Sequence, residues 1–156
     1  MNQLKLLINK LNENSVNKDT LSNKIKNIVE QYDGKDWEKY IIKTKKNYYR
    51  NLIYDNSEYE MFIISWMPNK DSTIHDHSKN GCVFKILKGS LIEERYELNT
   101  IKYISQDKFE EGDVSFISND ISLHKIKNNN DFITVSLHIY SPPKYKIKSY
   151  ESGGKS

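Results

Sequence analysis

Cys82-Val83-Phe84-Lys85-Ile86-Leu87-Lys88-Gly89-Ser90-Leu91-Ile92-Glu93-Glu94-Arg95-Tyr96-Glu97-Leu98 is the stretch from which the fold is read. Two β-rich runs, Cys82 to Leu87 and Leu91 to Leu98, flank the turn signal Lys88-Gly89-Ser90. The same grammar repeats outward on both sides. Tyr48 to Tyr54 and Tyr59 to Trp66 precede it; Ile101 to Ile104, Val114 to Ile117, His124 to Ile126 and Phe132 to Tyr140 follow. Between them stand Asp55-Asn56-Ser57, Pro68-Asn69-Lys70-Asp71, Gly112-Asp113 and Asn128-Asn129-Asn130. Short strands so evenly punctuated predict a closed antiparallel sandwich or barrel, and a mainly β protein.

Before Tyr48 the period is helical. Leu4, Leu7, Ile8 and Leu11 recur at helix spacing, as do Leu21, Ile25, Ile28 and Val29 behind a candidate N-cap at Asp19. Trp37, Tyr40 and Ile41 suggest a third short helix. The reading is therefore a single domain over 1–156: a helical N-terminal cover at 1–44, a β-barrel at 45–143 and a tail at 144–156, frayed at Gly153-Gly154-Lys155-Ser156. No internal repeat and no interdomain linker is visible.

At 156 residues, with 37% hydrophobic and 12% aromatic residues, the chain can bury one core without staples. No run approaches the ~18 apolar residues of a membrane span, and Met1 to Lys10 lacks the elements of a signal peptide. A single Cys excludes a disulfide framework and a Cys-rich metal site. The net charge of +3 is spread along the chain with no basic stripe, which argues against a nucleic-acid partner. A soluble, cytoplasmic, monomeric protein with no membrane partner is the expectation.

The four histidines all lie between His75 and His138, and the lone Cys82 stands among them. On a strand, the His75-Asp76-His77 pair would share a face, so both imidazoles could meet one ion. Gly89 follows, then Gly112-Asp113-Val114-Ser115-Phe116-Ile117 and His124, with Asn128 beyond. This order resembles the two motifs of the cupins, whose paired histidines and distant third histidine converge inside a barrel. It implies a cupin-type antiparallel β-barrel, a double-stranded β-helix, with the short N-terminal α-helices packed on it. Where a cupin usually carries a ligating Glu, this chain has Cys82.

Ser72-Thr73-Ile74-His75-Asp76-His77, Cys82, Lys88-Gly89, Ser122-Leu123-His124 and Val135-Ser136-Leu137-His138-Ile139-Tyr140-Ser141-Pro142-Pro143 together resemble the cysteine dioxygenase family, as does Tyr48-Tyr49-Arg50-Asn51-Leu52 upstream. The resemblance runs from about Trp37 to Pro143, and the chain looks shorter than animal members at its C-terminus. It implies a mononuclear Fe(II) on His75, His77 and His124, and oxidation of L-cysteine by O2 to 3-sulfinoalanine. Both oxygen atoms end on sulfur, and the thiolate supplies the electrons. Three imidazoles alone would also suit zinc, nickel or copper; iron comes from the resemblance.

Arg50 carries a planar fork suited to a carboxylate, with the Tyr48 hydroxyl on the same strand face. The resemblance makes them the substrate's carboxylate site; the plain alternative for Arg50 is a surface arginine on an edge strand, and Arg95 matches no motif and reads as a surface residue. Ser136, His138 and Tyr140 alternate along one strand, either as a polar stack or, by resemblance, as a relay in which His138 orients the Tyr140 hydroxyl. Cys82 is either a small buried hydrophobe or, by resemblance, half of a thioether cross-link to the Tyr140 ring. The rival functions are dioxygenation of another small thiol, such as 3-mercaptopropionate or cysteamine, and a non-catalytic metal-binding cupin.

Overall fold

The computed structural model describes residues 2–118 and 120–151, so the tail at 153–156 lies outside the described residues. Helix α1 (Gln3–Asn12) opens at Asn2, whose side chain accepts the Lys5 N–H, and buries Leu4, Leu7 and Leu11. The next helical segment begins later than Asp19. Asn17 accepts the N–H groups of Asp19 and Thr20, and the Thr20 hydroxyl donates to the Ser15 carbonyl, which ties up that turn. The chain then enters a π-helical turn (Leu21–Ile25) that runs into α2 (Lys26–Glu30); a 3-10 turn follows at Asp36–Tyr40.

Among the described residues eleven strands follow: β1 (Tyr48–Asp55), β2 (Glu60–Trp66), β3 (Lys70–Asp71), β4 (Ile74–His75), β5 (Gly81–Lys88), β6 (Ser90–Tyr96), β7 (Tyr103–Glu110), β8 (Val114–Ile117), β9 (Leu123–Asn128), β10 (Thr134–Ser141) and β11 (Ser149–Tyr150). They pair antiparallel in two sheets, β1-β2-β10-β5-β8 and β11-β4-β9-β6-β7, with β3 also on β9. The expected strand at Ile101–Ile104 is instead the start of β7, and Ile101 lies before it. β7 is an edge strand, exposed along most of both faces, so its polar sequence carries no inward apolar alternation to read.

Strands β2 and β10 are buried at every position, so hydropathy alone does not show which face is which. The packing does. Val135, Leu137 and Ile139 of β10, with Met61 and Ile63 of β2 and Val83 of β5, pack outward against Leu4, Leu7, Leu11, Ile25 and Val29 of the helices. The alternate residues Phe62, Ile64, Trp66, Cys82, Phe84, Ile86 and Tyr140 turn into the barrel, where they meet Leu91, Ile117 and Ile126 of the facing strands. Each such aliphatic side chain contributes about 1.5–3 kcal/mol by burial.

Lys85 holds the helical layer to the barrel: its ammonium donates to the Glu30 carbonyl at 2.8 Å and the Tyr32 carbonyl at 2.5 Å, at the C-terminal end of α2. The β5–β6 turn needs glycine: Gly89 has φ +81°, and a Cβ there would lie 2.6 Å from the Thr134 hydroxyl oxygen.

Candidate metal and substrate site

The barrel interior gathers the four histidines. Strand β4 carries His75 directly opposite His124 of β9. Their rings lie 4.5 Å apart, centroid to centroid, and the His77 ring lies 4.9 Å from that of His124. His77 is not on the strand, because β4 ends at His75. It is buried beside the other two all the same. The bend after His75 is held by Asp76, whose N–H donates to the Lys148 carbonyl and whose carboxylate accepts from the Lys148 N–H at 2.7 Å and the Tyr145 hydroxyl at 2.7 Å. Ser149 and Tyr150 pair with His75 and Ile74, so this segment lies along the edge of the strand that carries His75.

Ring chemistry follows from the surroundings. Burial, joined by the neighbouring His124, holds the His75 imidazole down to about 3 and that of His77 down to about 2, so both are neutral with a lone pair to offer. His75 donates from Nδ1 to the Thr73 carbonyl at 2.8 Å, which leaves its lone pair on Nε2. His124 donates from Nδ1 to Glu93 Oε2 at 2.8 Å, which likewise leaves Nε2 for an ion. Buried imidazoles, two of them oriented by an acceptor at Nδ1, have the donor chemistry a transition metal takes. Among the described residues no group of three or more His, Cys, Asp or Glu side chains is placed so that it could hold a metal ion as it stands. The rings adjoin one another without their nitrogens being gathered on a common point.

Beside the histidines, Arg50 of β1 lies over two rings, 4.2 Å from the Phe62 centroid and 5.0 Å from that of Tyr140. Its Nε is buried and has no hydrogen-bond partner among the described residues, and no carboxylate pairs with it there. Its charge bears on His75, His138, Cys82 and Tyr140. Tyr48, two positions along the strand, packs on Trp66 at 4.8 Å. A half-buried cation with a buried, unused donor has the chemistry to take an anion.

The third group is on β10. The Trp66 indole N–H donates to Ser136 Oγ at 2.8 Å, and Ser136 Oγ is 2.8 Å from His138 Nε2. With its oxygen already accepting, the Ser136 hydroxyl is placed to donate to that nitrogen. The His138 proton then lies on Nδ1, 3.4 Å from the Tyr140 oxygen and 3.7 Å from the Cys82 sulfur. Register puts Cys82 and Tyr140 directly opposite on neighbouring strands, both buried. Burial raises both the Cys82 thiol and the Tyr140 phenol well above their ordinary values.

The structure thus brings His75, His77, His124, Arg50, His138, Tyr140 and Cys82 into one neighbourhood. It also corrects one reading. Arg95 is not a free surface residue: it pairs with Glu93 at 3.2 Å and donates to the Phe116 carbonyl at 3.2 Å. Glu93, Trp66 and Asp76 escaped the sequence reading. Glu93 had a signal, since alternation places it on the same face of β6 as the buried Leu91.

Comparison with known proteins gives the family and the fold. The family model for cysteine dioxygenase type I matches residues 2–153. Cysteine dioxygenase type 1 of Danio rerio is 29% identical over 137 residues, covering 81% of this chain and 68% of that protein. The Homo sapiens protein of the same name is 32% identical over 125 residues, covering 74% of this chain but 62% of its own length. Among solved structures, the uncharacterized conserved protein with a double-stranded β-helix domain from Klebsiella pneumoniae superposes with a TM-score of 0.62 at 11% identity, over 74% of this chain and 94% of that one. Oxalate oxidase in complex with glycolate gives 0.54 at 13% identity, over 68% of this chain and 56% of that one. At those identities the likeness shows the fold, the cupin-type barrel read from the sequence. The extent of the family match and the identity to its members make this chain a member of the cysteine dioxygenase type I family.

Proposed function

We propose that the protein is a mononuclear Fe(II) thiol dioxygenase that converts L-cysteine and O2 to 3-sulfinoalanine. The observation that carries the substrate is Arg50: a half-buried guanidinium whose Nε–H is buried and unused, set against Phe62 and Tyr140 beside the histidine cluster. Arg50 receives the cysteine carboxylate, and the Tyr48 hydroxyl supports it. His75, His77 and His124 hold the iron through neutral nitrogens. Bound iron supplies the electronic coupling between the substrate thiolate and dioxygen. The protein orients sulfur and oxygen and keeps water out.

Ser136 and His138 orient the Tyr140 hydroxyl toward the substrate. Cys82 and Tyr140 form a thioether as the enzyme turns over: the S–H and one ring C–H are lost, a C–S bond forms, and dioxygen takes up the two hydrogens and two electrons. The family relationship and the direct cross-strand register of the two residues support this. The reading includes a single-domain, monomeric, cytoplasmic enzyme. Among the described residues no helix is long and apolar enough to cross a membrane.

The test is aerobic incubation of iron-loaded protein with cysteine, following oxygen uptake and sulfinate together. One sulfinate per O2 is expected. Oxygen loss without sulfinate, or faster turnover of 3-mercaptopropionate or cysteamine, refutes the assignment.

A further inference from the structure

The buried carboxylate of Glu93 has no part in the substrate site just proposed. It is almost fully buried on β6, inside the barrel wall. Its Oε2 accepts the His124 Nδ1–H at 2.8 Å. Its Oε1 accepts from Arg95 Nε at 3.2 Å, and Arg95 is anchored in turn by donating to the Phe116 carbonyl. Register places Arg95 directly opposite His124, so the pairing of β6 with β9 builds this triangle. Burying a carboxylate is costly unless it is paired and hydrogen-bonded, and here both oxygens are engaged.

The contrast with His75 is informative. There the corresponding Nδ1–H meets a neutral carbonyl, that of Thr73. At His124 the Nδ1–H meets the charged carboxylate of Glu93 instead. An imidazole that donates to a carboxylate is fixed in orientation and is a more basic ligand through its other nitrogen.

We infer that Glu93 is a positioning residue that locks and strengthens His124 as a metal ligand, and that Arg95 is its counter-charge, keeping the site open to an anionic substrate. This rests on the reading of His124 as a ligand. Without Arg95 the negative charge of Glu93 would be unbalanced near the place where thiolate and carboxylate must enter. Loss of Arg95 should therefore weaken binding of anions more than binding of metal.

The test is titration of the metal-free protein with Co(II), read by its visible absorption, in the parent and in Glu93→Gln, Glu93→Ala, Arg95→Leu and His124→Ala. Second-sphere partners of this kind are worth about 10–100-fold in metal affinity. Glu93→Ala is expected to bind that much more weakly. Glu93→Gln, which keeps an acceptor for His124 but not the charge, should fall between Glu93→Ala and the parent, with a shifted cobalt spectrum. Arg95→Leu should keep its cobalt affinity but need several-fold more cysteine to perturb that spectrum.

A Glu93→Gln protein with the parent's affinity and spectrum overturns the inference, and it decides the matter even if Glu93→Ala does not fold. Arg95→Leu with unchanged cysteine binding overturns the counter-charge role. Saturable parent-like binding by His124→Ala would instead locate the error in the ligand assignment. Loss of binding there, with Glu93→Gln unaffected, locates it in the role of Glu93.

Discussion

Arg50 shows how one residue's surroundings decide its use. Its guanidinium is stacked on Phe62 and Tyr140 with its Nε unspent, so it holds a charge that folding has not neutralised. Replacing it with Ala removes a charge-assisted pair, expected to cost about 1.5–3 kcal/mol of cysteine binding. The check is steady-state kinetics: the apparent KM for cysteine should rise by at least tenfold, while the poor turnover of cysteamine, which has no carboxylate, hardly changes. The histidines divide in the same way. His75→Ala, His77→Ala and His124→Ala should each abolish iron loading, measured by metal analysis of the purified protein. His138 spends both ring nitrogens near Ser136, Tyr140 and Cys82, so His138→Ala should keep most of its iron and lose rate. Equal iron loss in all four variants would place His138 among the ligands.

At the scale of elements, β10 does two jobs on its two faces. Leu137 points to the helices and His138 into the barrel. Leu137→Ala should destabilise the protein by about 2–5 kcal/mol in urea unfolding, because it opens a cavity under α1 and α2, yet leave the rate per folded molecule near normal. The pairing of β5 with β10 sets Cys82 against Tyr140. After turnover with iron and cysteine, the intact mass should therefore fall by two hydrogens, and a faster-migrating band should appear on a denaturing gel. Neither change is expected in Cys82→Ser or Tyr140→Phe. A fully titratable Cys82 thiol after prolonged turnover would exclude the bond.

The molecule as a whole carries the cost of burying imidazoles. His75 and His77 are held to about 3 and about 2, and His138 well below its ordinary value, chiefly by burial. In the unfolded chain each would titrate near 6.5, so below that pH the unfolded state binds more protons and stability falls as pH falls. With three such groups the slope approaches about 4 kcal/mol per pH unit near pH 5. Glu93, held low by its hydrogen bond and ion pair against the opposing effect of burial, adds a further loss at more acid pH. Urea midpoints of metal-free protein measured from pH 7 to pH 5 should drop steeply. A flat profile would mean that these rings are solvated or already charged in the folded state.

The alternating runs around Lys88-Gly89-Ser90, the helical spacing of Leu4, Leu7 and Leu11, and the His75-Asp76-His77, Cys82, His124 and His138 order were legible in the chain because local period and residue type are properties of sequence. They sufficed for a barrel with a helical cover and for the residues at its centre. The edge strand β7 was not legible, since a strand exposed on both faces leaves no apolar period. Nor were the opposite faces of β2 and β10, whose every position is buried. Arg95 read as surface although alternation puts it on the same face of β6 as Glu93, because an arginine in a polar run carries no local sign of the ion pair it makes there. Only the pairing of β6 with β9 places Glu93 against His124, and only the return of residues 145–150 gives Asp76 its partners. Such contacts join residues far apart in the chain, and their energies depend on burial that exists once the barrel has closed.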